Sequence, residues 1–193
     1  MMPHRTLLAS ALALTLAAPA SAMDYSYRLY RNQIVVDAAG RIEPNEVQIY
    51  SAWLGAVGPA MGDRPIVAMV FNSPGGNPIG AAALGALIAH FRMHTGVAGG
   101  GQCSSACIFA WAAGAAKSAA PDSAIGVHQP ELTGSVSPRD AQALIALNQN
   151  EILALARLGA PPAVLDAAAN TPPASIYWLT PADLAAWNVK VTR

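Results

Sequence analysis

Apolar positions along this chain fall into short blocks of two kinds. Ile66-Val67-Ala68-Met69-Val70-Phe71 is an unbroken apolar run bounded by turn residues, the pattern of a strand covered on both faces. Ser123 to His128 repeats it, and Thr95 to Ala98 reads as a shorter strand. Between Glu43 and Val57 the spacing changes: Val47, Tyr50, Trp53, Leu54 and Val57 share one side of a helix, with Pro44 suited to its first turn and a loop expected at Gly58-Pro59 and Gly62-Asp63. Further helices are predicted over Ile79 to Met93 and Ser105 to Ala115. Tyr25 to Val36 alternates loosely and predicts one or two strands before a turn at Asp37-Ala38-Ala39-Gly40. Ser137-Pro138-Arg139-Asp140 has the cap-then-proline form of a helix start, and that helix should run to Leu158 and stop at Gly159. Pro161-Pro162 opens a short helix, and Thr180-Pro181-Ala182-Asp183 repeats the cap signature for a last one. Strands alternating with helices predict an α/β fold with a largely parallel sheet.

The N-terminus stands apart from this pattern. Leu7 to Ala18 is an apolar stretch of signal-peptide length, and Ala20-Ser21-Ala22 matches the small-x-small cleavage pattern. Residues 1–22 are therefore read as a signal peptide cleaved after Ala22, and residues 23–193 as one domain of a secreted, most simply periplasmic, protein. An uncleaved N-terminal anchor is the competing reading. Formal net charge is +0 and charged residues make up 11%, which leaves room for a large core or a buried subunit interface. No basic patch interleaved with aromatics supports nucleic-acid binding, and no charged tail suggests a charged partner.

Candidate chemistry concentrates around Gln102-Cys103-Ser104-Ser105-Ala106-Cys107. Ser105 stands at the mouth of an apolar run, after Gly99-Gly100-Gly101, a layout that suits a tight turn into a helix. Free N–H groups and the dipole at a helix N-terminus favour a developing negative charge. Upstream, Asn72-Ser73-Pro74-Gly75-Gly76 is a glycine turn at the end of a strand, and downstream lies His128. Serine, histidine and a Gly-Gly turn are parts that acyl transfer requires, because a serine hydroxyl is unreactive without an adjacent base. Each part also has an ordinary use: the turn as a strand–helix connection, Ser105 as a helix cap, His128 as a hydrogen-bonded structural histidine. Cys103 and Cys107 flank Ser105; they either form a disulfide, given an oxidising compartment and a non-helical Cys103, or pack as two buried thiols. Two cysteines make no zinc site alone. His90 and His94, four apart, could share a helix face as metal ligands, but no Glu follows His90 and no metal is expected. The triple glycine before a helix could cradle phosphate, but no Gly-Lys-Ser/Thr follows. Trp111, Trp178 and Trp187 are expected in the core or an interface.

Together these residues resemble the proteolytic subunit of Clp protease, within the wider crotonase-like fold of repeated ββα units. The resemblance rests on Phe71-Asn72-Ser73-Pro74-Gly75-Gly76, on Gly101-Gln102-x-x-Ser105 with Phe109, Ala113 and Gly114, and on Pro121-x-Ser123 leading to His128-Gln129-Pro130. It spans roughly Tyr25 to Val189 and is densest from Ile66 to Pro130. It implies a crotonase-like, Clp-protease-type α/β fold, with Ser105 as nucleophile and His128 as base. The backbone N–H groups of Gly75 or Gly76, with Ala106, would form the oxyanion hole. One departure stands out: Thr171 to Tyr177, where the family's triad acid should lie, contains no carboxylate, and Ala174 or Ser175 takes its place. Ser175 is the weak candidate for orienting His128; Asp166 and Asp183 are out of register. The expected activity is a secreted serine hydrolase or peptidase acting on a peptide, ester or amide through an acyl-enzyme, without a cofactor, in a homo-oligomer, and without an ATP-driven unfoldase. The alternatives are a non-catalytic peptide-binding or assembly module and, further off, an acyl-CoA crotonase-type enzyme.

Overall fold

The computed structural model describes residues 22–131 and 137–192, so the expected signal peptide lies outside the described residues except for Ala22. β1 (Asp24–Tyr30) and β2 (Gln33–Ala39) form an antiparallel hairpin turning at Arg31-Asn32, where Arg31 takes a φ of 56°. The turn expected at Asp37 to Gly40 is thus the last part of β2 itself, closed by Gly40 at φ 118°. Helix α1 (Glu46–Met61) follows. Pro44 precedes it rather than opening its first turn, and Gly58-Pro59, expected as loop, lies within it. A proline withholds one helical N–H, and the buried Met61 beyond it still gains from completing the turn. Glu46, fully buried, fixes the helix start: the Glu43 N–H and the Tyr25 hydroxyl each donate to its carboxylate at 2.7 Å.

β3 (Ile66–Asn72) is the apolar run anticipated above. Pro78 then opens α2 (Pro78–His90), whose cap Asn77 accepts from the Ile79 and Gly80 N–H groups at 2.9 and 3.1 Å. β4 (His94–Val97) leads through the glycine turn into a strand not anticipated from the sequence, β5 (Gln102–Ser104). α3 (Cys107–Ala112) is shorter than expected and buried all round, as a helix lacking a polar face must be. A second short strand, β6 (Lys117–Ala119), was also not legible, followed by β7 (Ala124–Val127). α4 (Pro138–Arg157), α5 (Pro162–Asn170), β8 (Tyr177–Trp178), α6 (Pro181–Ala186) and β9 (Lys190–Val191) complete the chain. α4 and α6 both start in capping boxes, Ser137 with Asp140 and Thr180 with Asp183.

The larger sheet has the order β1-β2-β3-β4-β6-β9 and is parallel except for the β1–β2 hairpin. The smaller sheet, β5-β7-β8, pairs β5 and β7 in parallel and β7 and β8 antiparallel. This is a mixed α/β architecture with a mostly parallel main sheet. Ser73, one residue past β3, joins the two sheets: its N–H donates to Gln102 O at 2.7 Å, and its carbonyl accepts from the Ser104 N–H at 3.1 Å. Helices α2 and α3 approach closely at Gly85, where an added Cβ would lie 2.9 Å from the Phe109 carbonyl oxygen. Trp111 and Trp187 meet edge to face in the core, 5.4 Å between ring centres, whereas Trp178 is exposed.

Candidate active site

Ser105 occupies the turn between β5 and α3 with a φ of 57°, in the left-handed region that side-chain-bearing residues rarely adopt. A strand that reverses sharply into a helix lifts the side chain at the turn clear of both elements, the geometry of an exposed nucleophile. The turn is held at both ends. The Ser105 N–H donates to Gly126 O on β7, and the Ser105 carbonyl accepts from the Ile108 N–H, each at 3.1 Å. Cys103 on β5 and Cys107 at the start of α3 are joined by a disulfide, Cα to Cα 5.3 Å, that spans the turn. Of the two adjacent serines, Ser104 is buried in the sheet while Ser105 is half-exposed.

Sheet register brings the histidine to the serine. Ser104 pairs with Gly126 across the parallel β5–β7 ladder, so His128, one residue beyond β7, emerges beside the turn that follows β5. The segment after His128 is pinned to the end of α5: the Gln129 N–H donates to Thr171 O at 2.8 Å and its side-chain amide to Ala169 O at 2.6 Å. The glycine turn arrives through Ser73. Gly75, at φ 96°, lies so close behind the serine that an added Cβ would sit 2.7 Å from Ser105 Cβ and 3.0 Å from the Ala106 nitrogen. Gly76, at φ 143°, backs onto Ile42, whose carbonyl oxygen an added Cβ would strike. Both positions therefore require glycine.

The two glycines are not equivalent as donors. The Gly75 N–H is engaged by Ser73 Oγ at 3.1 Å, while the N–H groups of Gly76 and Ala106 have no acceptor among the described residues. Gly76, Ala106, Ser105 and His128 line one cavity of about 360 Å³. A serine hydroxyl, an imidazole and two free N–H donors sharing a cavity are the groups that attack on a carbonyl and stabilisation of the resulting oxyanion require.

Among the described residues Ser105 and His128 share the cavity without a hydrogen bond between them, and no group orients the imidazole. His128 Nδ1 is buried and has no hydrogen-bond partner among the described residues. Ser175 is exposed in the turn before β8, where its N–H donates to Pro172 O at 2.9 Å, and it neither lines the cavity nor bonds to His128. The chain turns there on the proline pair Pro172-Pro173, which places the side chain in solvent. Asp166 accepts from the Asn170 amide at 2.9 Å, and Asp183 caps α6 and accepts from the Tyr177 hydroxyl at 3.0 Å. Nor do His90 and His94 share a helix face, since His90 ends α2 and His94 begins β4. The triple glycine leads into a strand rather than a helix, so it presents no helix N-terminus to a phosphate.

α4 contributes residues not singled out from the sequence. Leu147, Asn148, Glu151, Ile152 and Leu155 face the same cavity, joined from elsewhere by Arg41 and Glu131. Burial pushes the Glu151 carboxyl up to about 7. The available signal was its spacing: Glu151 falls four residues from Leu147 and from Leu155, inside an apolar stripe where a carboxylate is out of place.

A family model described as Clp protease matches residues 19–157, a stretch that includes both glycines, Ser105, His128 and Glu151 and ends before Ser175. No curated protein matches the chain.

Proposed function

The chain belongs to the Clp protease family, and on that premise we propose that it is a serine hydrolase that cleaves peptides or small esters and amides through an acyl-enzyme on Ser105. The observation that carries the reading is the convergence of Ser105, His128 and the free N–H groups of Gly76 and Ala106 on one cavity. In the acylation step Ser105 Oγ bonds to the substrate carbonyl carbon as its proton passes to His128 Nε2. The carbonyl oxygen takes up negative charge and is held by the Gly76 and Ala106 N–H groups. The carbon–nitrogen or carbon–oxygen bond then breaks, and His128 returns the proton to the leaving group. Water repeats the sequence and frees Ser105. Two oxyanion donors are worth several kcal/mol of barrier, about 3–4 for one of them.

His128 works here without a carboxylate on Nδ1, which in a complete triad contributes about 10⁴ in rate. Slow turnover on activated esters follows. The same unpartnered Nδ1 supports a second reading, a binding module that retains the groove and has lost the chemistry. We further place the fold in the crotonase-like group, a reading supported by strands that alternate between the two sheets on either side of α3. A signal peptide over residues 1–22 would deliver the domain, residues 23–193, to the periplasm, where the Cys103–Cys107 bridge is stable and an ATP-driven unfoldase has no fuel. Exposed Ile145 and Leu153 on α4 are consistent with a homo-oligomer.

A fluorophosphonate probe tests the central claim. It should label the protein once, on the Ser105 peptide by mass spectrometry, and Ser105→Ala should abolish labelling. Absence of labelling in the parent would leave the binding-module reading in its place.

A further inference from the structure

The cavity beside Ser105 is lined by a carboxylate that no donor serves. Glu151 makes neither a hydrogen bond nor an ion pair among the described residues, and Asn148 Oδ1, also without a partner there, is closed off from solvent. Three residues apart on α4, the two are neighbours on one helix face. Around them the wall is mixed: Leu147, Ile152 and Leu155 from α4 and Ile108 and Phe109 from α3 are apolar, while His128, Gln129 and the exposed Glu131 are polar. Arg41, the cavity's other permanent charge of opposite sign, is exposed and lies against Gly76, and it forms no ion pair with Glu151. An unpaired carboxylate in apolar surroundings is costly, and burial already pushes this one up to about 7.

The matching occupant has an apolar stem and a head rich in N–H donors. Arginine and lysine have that form: their methylene stems lie along apolar surface while the head seeks a polar partner. The guanidinium has five donors in a planar fork, and two of them can serve one carboxylate at once. A volume of about 360 Å³ is at the small end of ligand cavities and suits one long side chain beside the reacting carbonyl. We propose that the residue supplying the scissile carbonyl carries a long cationic side chain, arginine ahead of lysine, held by Glu151. The proposal rests on the hydrolase reading and adds its substrate class.

The test compares p-nitrophenyl esters of acetyl-arginine, acetyl-lysine and acetyl-leucine with the purified protein. The arginine ester should exceed the leucine ester in kcat/KM by about 10–100-fold, at or below the range for a fully buried charge pair because Glu151 is only partly buried. Glu151→Gln should collapse that ratio, chiefly through KM for the arginine ester. Glu151→Leu should reverse it in favour of leucine, and that gain also reports an intact fold. Ser105-dependent hydrolysis that favours leucine, or a ratio untouched by both substitutions, overturns the proposal while the hydrolase stands. A second arm needs no turnover. Calorimetry on Ser105→Ala should detect binding of n-butylguanidine that Glu151→Gln weakens at least about tenfold. If no ester is cleaved and no probe labels Ser105, the hydrolase reading falls, and guanidine binding alone decides the pocket: Glu151-dependent binding supports it and no binding overturns it.

Discussion

At the scale of single residues, Ser105 combines two demands that conflict. The proposed chemistry needs a hydroxyl there, and the backbone at φ 57° prefers glycine. A residue with a Cβ held in the left-handed region costs about 1–2 kcal/mol. The site therefore gives up stability for position, and the two substitutions that remove the hydroxyl should separate the effects. Ser105→Ala keeps the Cβ and its strain, so its stability should stay close to the parent. Ser105→Gly should unfold at a higher temperature than Ser105→Ala, by an amount corresponding to about 1 kcal/mol. Both should be inert to the fluorophosphonate probe. Equal melting temperatures for the two variants would show that the turn carries no such strain in solution.

At the scale of elements, the β5–turn–α3 unit carries the proposed nucleophile, and the Cys103–Cys107 bridge spans it. Closing so short a loop removes about 2 kcal/mol of unfolded-state entropy. For a domain of this size that corresponds to a loss of about 4–8 °C in melting temperature on reduction or in the Cys103→Ser/Cys107→Ser double variant. Because the bridge grips both arms of the turn, labelling of Ser105 should slow as well; unchanged melting and labelling after complete reduction would show the bridge to be incidental. This unit also marks where the sequence could and could not be read. β3, α4 and α6 were legible because apolar run length and cap chemistry are local. β5 and β6, three residues each, were not, because such strands exist only through their partners: β5 against β7, β6 between β4 and β9. The serine, the histidine and the glycine pair were visible as motifs, whereas the inequality of Gly75 and Gly76 depends on Ser73 Oγ reaching one N–H and not the other. The resemblance puts Ala174 or Ser175 at the place of a triad acid, and only the course of the chain after Pro172-Pro173 puts Ser175 in solvent. Glu151 stays hidden because its helix is legible from its two ends, the Ser137 cap and the Gly159 stop, and neither says which side chains face a cavity.

At the scale of the whole molecule, two carboxylates pull stability in opposite directions as pH changes. Burial weighs against the Asp183 charge, but hydrogen bonds from Thr180 and Tyr177 outweigh it and hold the carboxyl below its ordinary value. The folded state then binds its proton less readily than the unfolded chain, so Asp183 contributes stability above the usual carboxylate range and loses it as pH falls through the lowered value. Glu151 has the other sign. With its folded value pushed up to about 7 from 4.5, the folded protein holds a proton that the unfolded chain has released. Across that window the unfolded state binds fewer protons, so stability falls as pH rises from 4.5 to 7. Discounted for the half-exposed position, the fall is about 1–2 kcal/mol. Glu151→Gln removes the titration, so its stability should gain on the parent steadily across the window and then run parallel above it. The comparison cancels Arg41, His128 and Glu131, which line the same cavity in both proteins. Urea unfolding at half-unit pH steps measures it, and two parallel curves throughout would place the Glu151 carboxylate in solvent. Adding n-butylguanidine to the parent should flatten its curve, because a bound cation favours the ionised carboxylate and brings its value back toward that of the unfolded chain.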